Sequence, residues 1–219
     1  MAARIRVGLL AADEDVRLGR AQLLDSLRDF QVVFEEGDGQ VALSRLPEAT
    51  IDLLVVNHRL KTVDGLTLVK QLSDAEVKPP KLVVTGPFAN DEFTIDAAIA
   101  GALATVTMDE GAKEFVATLR RVRDHEDQKD LTSLAGAIRR YRLSGGQFFL
   151  GNRDFAALTE KQRLIIELYA KGLTDEQALV KLRIKPETQA KYVHDIYQIL
   201  GFHTRSQLVL AAFQMGLVS

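Results

Sequence analysis

The sequence predicts two domains, a five-stranded parallel α/β domain followed by an all-α domain. In the first 127 residues, apolar strand-like runs alternate with amphipathic helix-like segments, which is the order of a parallel sheet with helical crossovers. From residue 158 to 200, three amphipathic segments are separated by very short turns. Residues 1–130 carry 16 Lys and Arg against 23 Asp and Glu, whereas residues 131–219 carry 12 against 7. The basic balance of the C-terminal part favours a polyanionic partner for that part alone.

The α/β part is predicted element by element from its apolar pattern. Residues 51–56 (IDLLVV) form a nearly continuous apolar run, as expected of a central parallel strand that is covered on both faces. The other strands are predicted at residues 4–10, 31–34, 81–85 and 103–107, and the helices at 16–27, 40–46, 65–72, 91–100 and 110–123. Such a sheet places its ligand site at the carboxyl ends of the strands.

The helical part is predicted from its capping residues. Gly172 ends a helix over 161–170, and Thr174 with Gln177 has the spacing of a capping box at the start of the next helix. Pro186 lies in the first turn of a third helix, which ends at Gly201. Two helices joined by about four residues indicate a helix-turn-helix. A fourth helix is predicted over 206–216, and an extra amphipathic helix over 131–143.

Composition excludes several classes of protein. The chain has 219 residues, 47% of them hydrophobic, and no cysteine. No apolar run reaches the roughly 18 residues of a membrane span, and the N-terminus lacks the pattern of a signal peptide. The four histidines (His58, His125, His194 and His203) have no metal-binding spacing. These features predict a cytoplasmic protein with no metal, no cofactor and no membrane partner. We find no nucleophile–base pair or glycine-rich phosphate loop, so an enzyme is not expected.

The helical part is similar to the DNA-binding domain of the LuxR/NarL family of bacterial regulators. The matching residues are Leu158, Thr159, Gly172, Leu173, Thr174, Leu182, Ile184, Thr188, Val193, Ile196, Leu200, Gly201, Arg205, Ser206 and Gln207. The resemblance implies a bacterial protein that binds double-stranded DNA, as a homodimer that reads two half-sites. It also implies that the last helix pairs the two copies through Leu208, Val209, Ala212, Phe213 and Met215. The alternatives are a four-helix bundle that binds no nucleic acid and a last helix that only packs within the bundle.

The same resemblance implies which residues meet DNA. The third helix enters the major groove, where Lys191 and His194 contact base edges. Lys185, Thr188 and Tyr192 contact phosphates, and Arg205 is an outer contact. The sequence departs from the family at Gln189, where an apolar residue is usual, and at Ala190, where a basic one is common. Asp195 lies near the groove as well, so weak affinity is expected.

The α/β part resembles the receiver domain of two-component response regulators, which has a flavodoxin-like fold. The resemblance rests on Arg17, Gly19, Asp64-Gly65, Thr85 and Gly101-Ala102. It implies two acids after the first strand that bind Mg²⁺ and an Asp after the third strand that accepts a phosphoryl group. It further implies a Thr or Ser after the fourth strand and a Lys after the fifth.

Only Thr85 of those five positions is kept in this sequence. The acid pair is Ala11-Ala12, the phosphoacceptor position is Asn57, and the Lys position is Met108. Two alanines provide no Mg²⁺ ligand, and an amide is a poor nucleophile. We therefore predict a receiver domain that is not phosphorylated and has no metal site. A rival alignment, shifted by two residues, places Asp13-Glu14 at the acid position and leaves Asn57 and Met108 unchanged.

Two interpretations of this degenerate pocket, lined by Ala11, Ala12, Asn57, Thr85 and Met108, stay open. It binds a small ligand or a protein partner in place of phosphate, or it is filled and locked in one conformation. The packing properties of Ala and Met favour the second. Arg139, Arg140 and Arg142 in the extra helix either reach DNA phosphates or form a solvated face, and charge runs favour the solvated face.

The predicted organisation is a degenerate receiver domain over 1–127, a linker with an extra helix over 128–154, and a LuxR-type helix-turn-helix domain over 155–219. The expected function is transcriptional regulation without aspartyl phosphorylation. The alternative is a protein-interaction adaptor that binds DNA weakly or not at all.

Overall fold

The computed structural model of the protein describes residues 4–75, 79–86, 90–124 and 128–219. The chain divides into two compact units, Met1–Glu126 and Asp127–Ser219. His125 and the predicted boundary at residue 127 lie outside the described residues.

The first unit is a five-stranded parallel sheet in the order β2-β1-β3-β4-β5. Its strands are β1 (Ile5–Leu10), β2 (Phe30–Glu36), β3 (Leu53–Asn57), β4 (Lys81–Gly86) and β5 (Ala104–Thr107). Its helices are α1 (Glu14–Asp25), α2 (Gly39–Arg45), α3 (Gly65–Ser73), α4 (Asp91–Ala100) and α5 (Ala112–Asp124). The predicted fold class is confirmed.

Alternation along the strands builds a core on each face of the sheet. In β3, Leu53 and Val55 pack with residues of α1 and α5, whereas Leu54 and Val56 pack with residues of α2, α3 and α4. All four side chains are at most 1% exposed. By the same alternation, Asn57 at the end of β3 projects from the α1–α5 face.

Close backbone contacts hold the loops at the carboxyl ends of the strands. A Cβ atom at Gly65 would lie 2.1 Å from the carbonyl oxygen of Asn57, so only glycine fits where α3 begins. The Gly65 N–H donates to the His58 carbonyl at 2.9 Å, and the His58 N–H donates to the Thr85 carbonyl at 2.8 Å. The ends of β3 and β4 are therefore fixed relative to each other.

The second unit is helical. Its helices are α6 (Gln128–Leu143), α7 (Glu160–Ala170), α8 (Asp175–Leu182), α9 (Pro186–Leu200) and α10 (Arg205–Gln214). The capping box of Thr174 and Gln177 forms as predicted, and Gly172 and Gly201 adopt positive φ angles of 79° and 61° at the ends of α7 and α9. These caps explain why the helix limits follow closely from the sequence.

Helix α6 belongs to the second unit rather than to a separate linker. It packs on α7 and α10, and its inward residues are at most 3% exposed: Leu131, Leu134, Ala135, Ala137 and Ile138. Segment 128–154, predicted as a linker with an extra helix, contains this helix as α6, whose inner face is buried. Helix α10 lies between α6 and α7.

The burial of α10 corrects the expected dimer surface. Leu208, Val209, Ala212 and Phe213 are at most 1% exposed, and Met215 is half-buried. The apolar face that was expected to pair two copies is covered by the chain itself, because α6 supplies the apolar partner.

Candidate functional sites in the receiver unit and on helix α9

The carboxyl ends of β1, β3, β4 and β5 bring the predicted pocket residues to one edge of the sheet. Ala11 directly follows β1 and is 2% exposed, and Ala12 is half-buried. The N–H of Ala11 donates to the Glu36 carbonyl at 3.1 Å, and that of Ala12 donates to the Arg59 carbonyl at 3.3 Å. Methyl groups therefore stand where a metal-binding receiver has carboxylates.

The acidic residues that follow Ala12 in the sequence stabilise the start of α1. Asp13 is the N-cap of α1, and its carboxylate accepts from the Val16 N–H at 3.1 Å. Asp13, Glu14 and Asp15 are exposed, and Glu14 and Asp15 lie in the first turn, where they favour the positive end of the helix dipole. The rival alignment, with Asp13-Glu14 as the acid pair, is disfavoured because these residues begin a helix instead of ending a strand.

Asn57 ends β3 and makes a local turn. Its side-chain oxygen accepts from the Arg59 N–H at 2.9 Å. Because the oxygen already accepts this hydrogen bond, the NH₂ group is the remaining donor of the Asn57 side chain. An amide in this place donates and accepts hydrogen bonds but carries no charge.

Thr85 is hydrogen-bonded to Arg20, a residue that was not predicted to belong to this site. The Arg20 Nη1 atom donates to the Thr85 hydroxyl oxygen at 2.9 Å, and the guanidinium lies 5.3 Å from the centroid of the Phe115 ring. Thr85 is fully buried. Arg20 is half-buried, and burial lowers the pKa of its guanidinium, which still remains charged at neutral pH. The periodicity of α1 places Arg20 on the same side as Ala21 and Leu24, a signal that was present in the sequence.

Met108 does not fill the pocket. It is 61% exposed, and its backbone N–H donates to the Gly86 carbonyl at 3.1 Å. The expectation that Met108 packs inward is not met, because the side chain projects beyond the end of β5. The cation that contacts Thr85 is the Arg20 guanidinium, which comes from α1.

The second site is the outer face of α9. Lys185, Lys191 and His194 are exposed, and Thr188 and Tyr192 are half-buried. The tight turn before α9 is made by Arg183, whose φ angle is 52°. Ala190 and Glu187 share the exposed surface, so this face carries one acid among its cations.

Arg205 is engaged inside the helical unit and is not an open outer contact. Its guanidinium forms an ion pair with Asp175 and lies 4.8 Å from the centroid of the Tyr169 ring. Its assignment as an outer DNA contact stays a prediction. The Tyr169 hydroxyl donates to the Asp175 carboxylate at 2.7 Å, and burial together with this hydrogen bond raises the pKa of Tyr169.

Gln189 completes this cluster from α9. It is 4% exposed, and its amide nitrogen donates to the Tyr169 hydroxyl and to the Asp175 carboxylate, both at 2.8 Å. The unusual polar residue at this position thus ties α9 to the start of α8. Its side-chain oxygen has no hydrogen-bond partner within the described part of the chain.

Two arginines of α6 contact the C-terminal end of the helical unit. Arg142 donates to the Phe213 carbonyl at 2.8 Å, and Arg139 donates to the Ser219 carbonyl at 2.8 Å. Both guanidiniums lie within 5.5 Å of the Phe213 ring centroid. Arg139 and Arg142 therefore contact the end of α10, while both residues and Arg140 remain exposed, as the prediction of a solvated face requires.

The described ranges show neither a cluster of metal ligands nor a helix of membrane-spanning length and hydrophobicity. No group of three or more His, Cys, Asp or Glu side chains in them is arranged to hold a metal ion. None of their helices combines the length and the apolar character needed to cross a membrane.

A flavodoxin-like parallel sheet followed by a helical unit is an arrangement that solved structures of response regulators also show. The model of the response regulator receiver domain matches residues 9–120. The chain belongs to this family.

Two curated relatives resemble the chain along nearly all of its length. It is 26% identical over 211 residues to the DNA-binding transcriptional activator DevR/DosR of Mycobacterium tuberculosis, covering 96% of this chain and 95% of that one. It is 26% identical over 215 residues to the transcriptional regulatory protein LiaR of Bacillus subtilis, covering 98% and 100%. The crystal structure of ChrA, a response regulator of a heme-sensing two-component system, is 25% identical with a TM-score of 0.50 and covers 99% of this chain and 100% of that one. The relatives are named as regulators and not as enzymes.

Proposed function

We propose that this chain is an atypical response regulator that binds double-stranded DNA and regulates transcription without aspartyl phosphorylation. The observation that carries DNA binding is the exposed face of α9, where Lys185, Lys191 and His194 follow a tight turn from α8. The relatives support it, because their similarity spans both units and one is named a DNA-binding activator.

In this proposal, α9 enters the major groove. Lys191 and His194 contact base edges, and Lys185, Thr188 and Tyr192 contact phosphates. Arg205 is an outer contact in this proposal, and it would approach DNA from its place beside Asp175 and Tyr169. Two copies reading two half-sites would form a homodimer through a surface other than the covered face of α10.

Independence from phosphorylation is supported by the pocket chemistry. Ala11 and Ala12 cannot bind Mg²⁺, and Asn57 cannot form an acyl phosphate. The cation at Thr85 comes from Arg20 and needs no phosphoryl group to be there.

The test is fluorescence anisotropy of the full chain on random and on selected duplexes, without a phosphodonor and at two salt concentrations. We expect sequence-selective binding that weakens as salt rises, because each neutralised phosphate releases counterions. Failure to bind any duplex at low salt would overturn the DNA-binding part.

The adaptor alternative is favoured by one observation, the acids around α9. Glu187 is exposed on α9, Asp195 is half-buried there, and Asp175 pairs with the Arg205 guanidinium. An adaptor would show the same stability and the same protein contacts but no salt-dependent duplex binding, so the anisotropy experiment separates the two functions.

A further inference from the structure

We propose that Asp175 is an internal counter-ion that limits the affinity of the helical unit for DNA, because its carboxylate holds the Arg205 guanidinium that a DNA phosphate would otherwise bind. The inference deepens the proposed function: it rests on DNA binding by α9 and adds a residue that sets how tight this binding is. It does not depend on the chemistry of the receiver unit.

The first step is the ion pair itself. Arg205, at the start of α10, pairs with Asp175, in the first turn of α8. The Arg205 side chain is 22% exposed and that of Asp175 is 50% exposed, so the pair lies at the surface, where a partner molecule can reach it. Carboxylates and phosphates each present two oxygens to a guanidinium, so one can replace the other at Arg205.

The second step is how firmly the carboxylate is held. The Oδ1 atom of Asp175 accepts from the Tyr169 hydroxyl at 2.7 Å and from the Gln189 amide at 2.8 Å, whereas Oδ2 faces Arg205. Both donors come from buried residues, which fix the position of the carboxylate. Asp175 also lies at the positive end of the α8 dipole, where a negative charge is favoured. A phosphate that binds Arg205 must therefore displace an anion that is already in place.

The third step is that the Arg205 guanidinium has a second support. It lies 4.8 Å from the centroid of the Tyr169 ring, a distance typical of a cation–π contact. This contact does not depend on the charge at position 175. When Asp175 is replaced by a neutral residue, the guanidinium is expected to stay on the ring, and the N–H group that now pairs with Asp175 becomes available to an external anion.

The fourth step is the place of the pair relative to the proposed DNA face. Asp175 and Arg205 line one open groove together with Ala190 and His194 of α9. Both α9 residues are exposed, and His194 is one of the proposed base contacts. A duplex that lies against α9 therefore passes beside the ion pair. An acid in this place repels the phosphates, and it also withholds the cation that would attract them.

The simplest competing role for Asp175 is structural: it ties α8 to α7, α9 and α10 and has no effect on DNA. The two roles predict different signs for Asp175→Asn. If the acid is purely structural, its loss loosens the helices that present α9, so DNA affinity stays equal or falls together with stability. If the acid is an internal counter-ion, DNA affinity rises even though the helical unit becomes less stable.

The experiment is fluorescence anisotropy of the full chain on the random and the selected duplex over a series of salt concentrations, with Asp175→Asn beside the parent. We expect Asp175→Asn to bind both duplexes about threefold to tenfold more tightly at low salt. The slope of log K against log salt should steepen by about one, because one more phosphate is neutralised. Urea unfolding of the same proteins, followed by circular dichroism, shows whether the variant is folded and how its stability compares.

The matched control is Glu176→Gln, which removes the same charge from the next residue of α8. Glu176 is exposed and lies in the same first turn, so this variant measures the effect of net charge alone. The gain in Asp175→Asn should exceed the gain in Glu176→Gln. In an Arg205→Met background the two gains should be equal, because the guanidinium through which Asp175 acts has been removed.

A folded Asp175→Asn variant that binds no tighter than the parent would overturn the proposal, and so would a gain no larger than that of Glu176→Gln. Should Asp175→Asn not fold, Asp175→Ser removes the same charge with a small polar residue, and the same gain is expected. Binding of a duplex by neither the parent nor the variant would contradict DNA binding itself, and the inference would fall with it. Binding by Asp175→Asn alone would contradict the proposed function of the parent chain and support the role of Asp175.

Discussion

Lys191 is the residue whose replacement tests most directly how α9 reads DNA. It is exposed on α9 and lies three residues before the exposed His194. If it contacts a base edge, Lys191→Ala should cost about 1–3 kcal/mol of binding free energy on the selected duplex and much less on random DNA. Anisotropy on both duplexes measures this difference.

The control for Lys191 is Lys161→Ala, which removes an exposed lysine from α7 in the same unit. It should leave both affinities nearly unchanged. An equal loss on selected and random DNA in Lys191→Ala would assign this residue to a phosphate, and a loss in Lys161→Ala of the same size would show that only net charge matters.

Tyr169 tests the polar cluster behind α9. Its buried hydroxyl donates to Asp175 and accepts from Gln189. Tyr169→Phe should lower the free energy of unfolding of the helical unit by about 1–3 kcal/mol, because it removes the hydrogen bond to Asp175 and the one from the buried Gln189 amide. Urea unfolding followed by circular dichroism measures the change.

Tyr192→Phe is the comparison for this prediction, since Tyr192 is half-buried and lies outside the cluster. A surface change of this kind should stay within about 0.5 kcal/mol. If Tyr169→Phe were equally mild, the hydrogen bonds of the cluster would contribute little and the position of α9 would depend on apolar packing alone.

At the scale of the helices, α6 is the element whose role changed most between sequence and structure. Ile138 is fully buried on α6, whereas Leu143, at the end of the same helix, is 89% exposed. Ile138→Ala should destabilise the helical unit by about 2–5 kcal/mol, because it removes methylene groups from a packed core and leaves a cavity.

Leu143→Ala removes a side chain of the same size from the same helix and should be nearly neutral. Thermal unfolding of the two variants beside the parent compares them directly. Similar, small effects of both substitutions would mean that α6 is a loosely attached linker and that the face of α10 is open for pairing.

Elements were predictable here wherever a local signal marks their ends. Thr174 caps the start of α8 and Pro186 begins α9, whereas Gly172 and Gly201 follow the ends of α7 and α9. Capping and positive φ angles depend on neighbours in sequence, so these limits were predictable. The strands followed from apolar runs. What each helix packs against did not follow, since the contact of α6 with α10 joins residues about seventy positions apart, as the Arg142–Phe213 hydrogen bond does.

The residues of the candidate sites were also only partly predictable from the sequence. The strand-end positions of Ala11, Asn57 and Thr85 were predictable from order along the chain. The partners of long cationic side chains were not: Arg20 reaches Thr85 across 65 positions, and Arg205 reaches Asp175 across 30. A long side chain can extend several ångströms in more than one direction. The sequence therefore indicates where its Cα atom lies, but not where its charged group lies.

In the whole receiver unit, the residues at positions 11, 12 and 57 together decide whether a metal ion and a phosphoryl group can be held, and the last prediction tests this. Asn57→Asp alone restores a nucleophile at the end of β3. It should still give no phosphoryl adduct with acetyl phosphate and Mg²⁺, because Ala11 and Ala12 provide no metal ligands and the metal is needed to neutralise the transferred group. Intact mass spectrometry detects the adduct.

The matched variant adds Ala11→Asp and Ala12→Asp to Asn57→Asp. This triple change supplies the acids that a metal-binding receiver has, and any recovery of phosphorylation should appear only there. A phosphoryl adduct on the single variant would show that the alanines do not prevent catalysis, and the receiver would then be one substitution away from conventional chemistry.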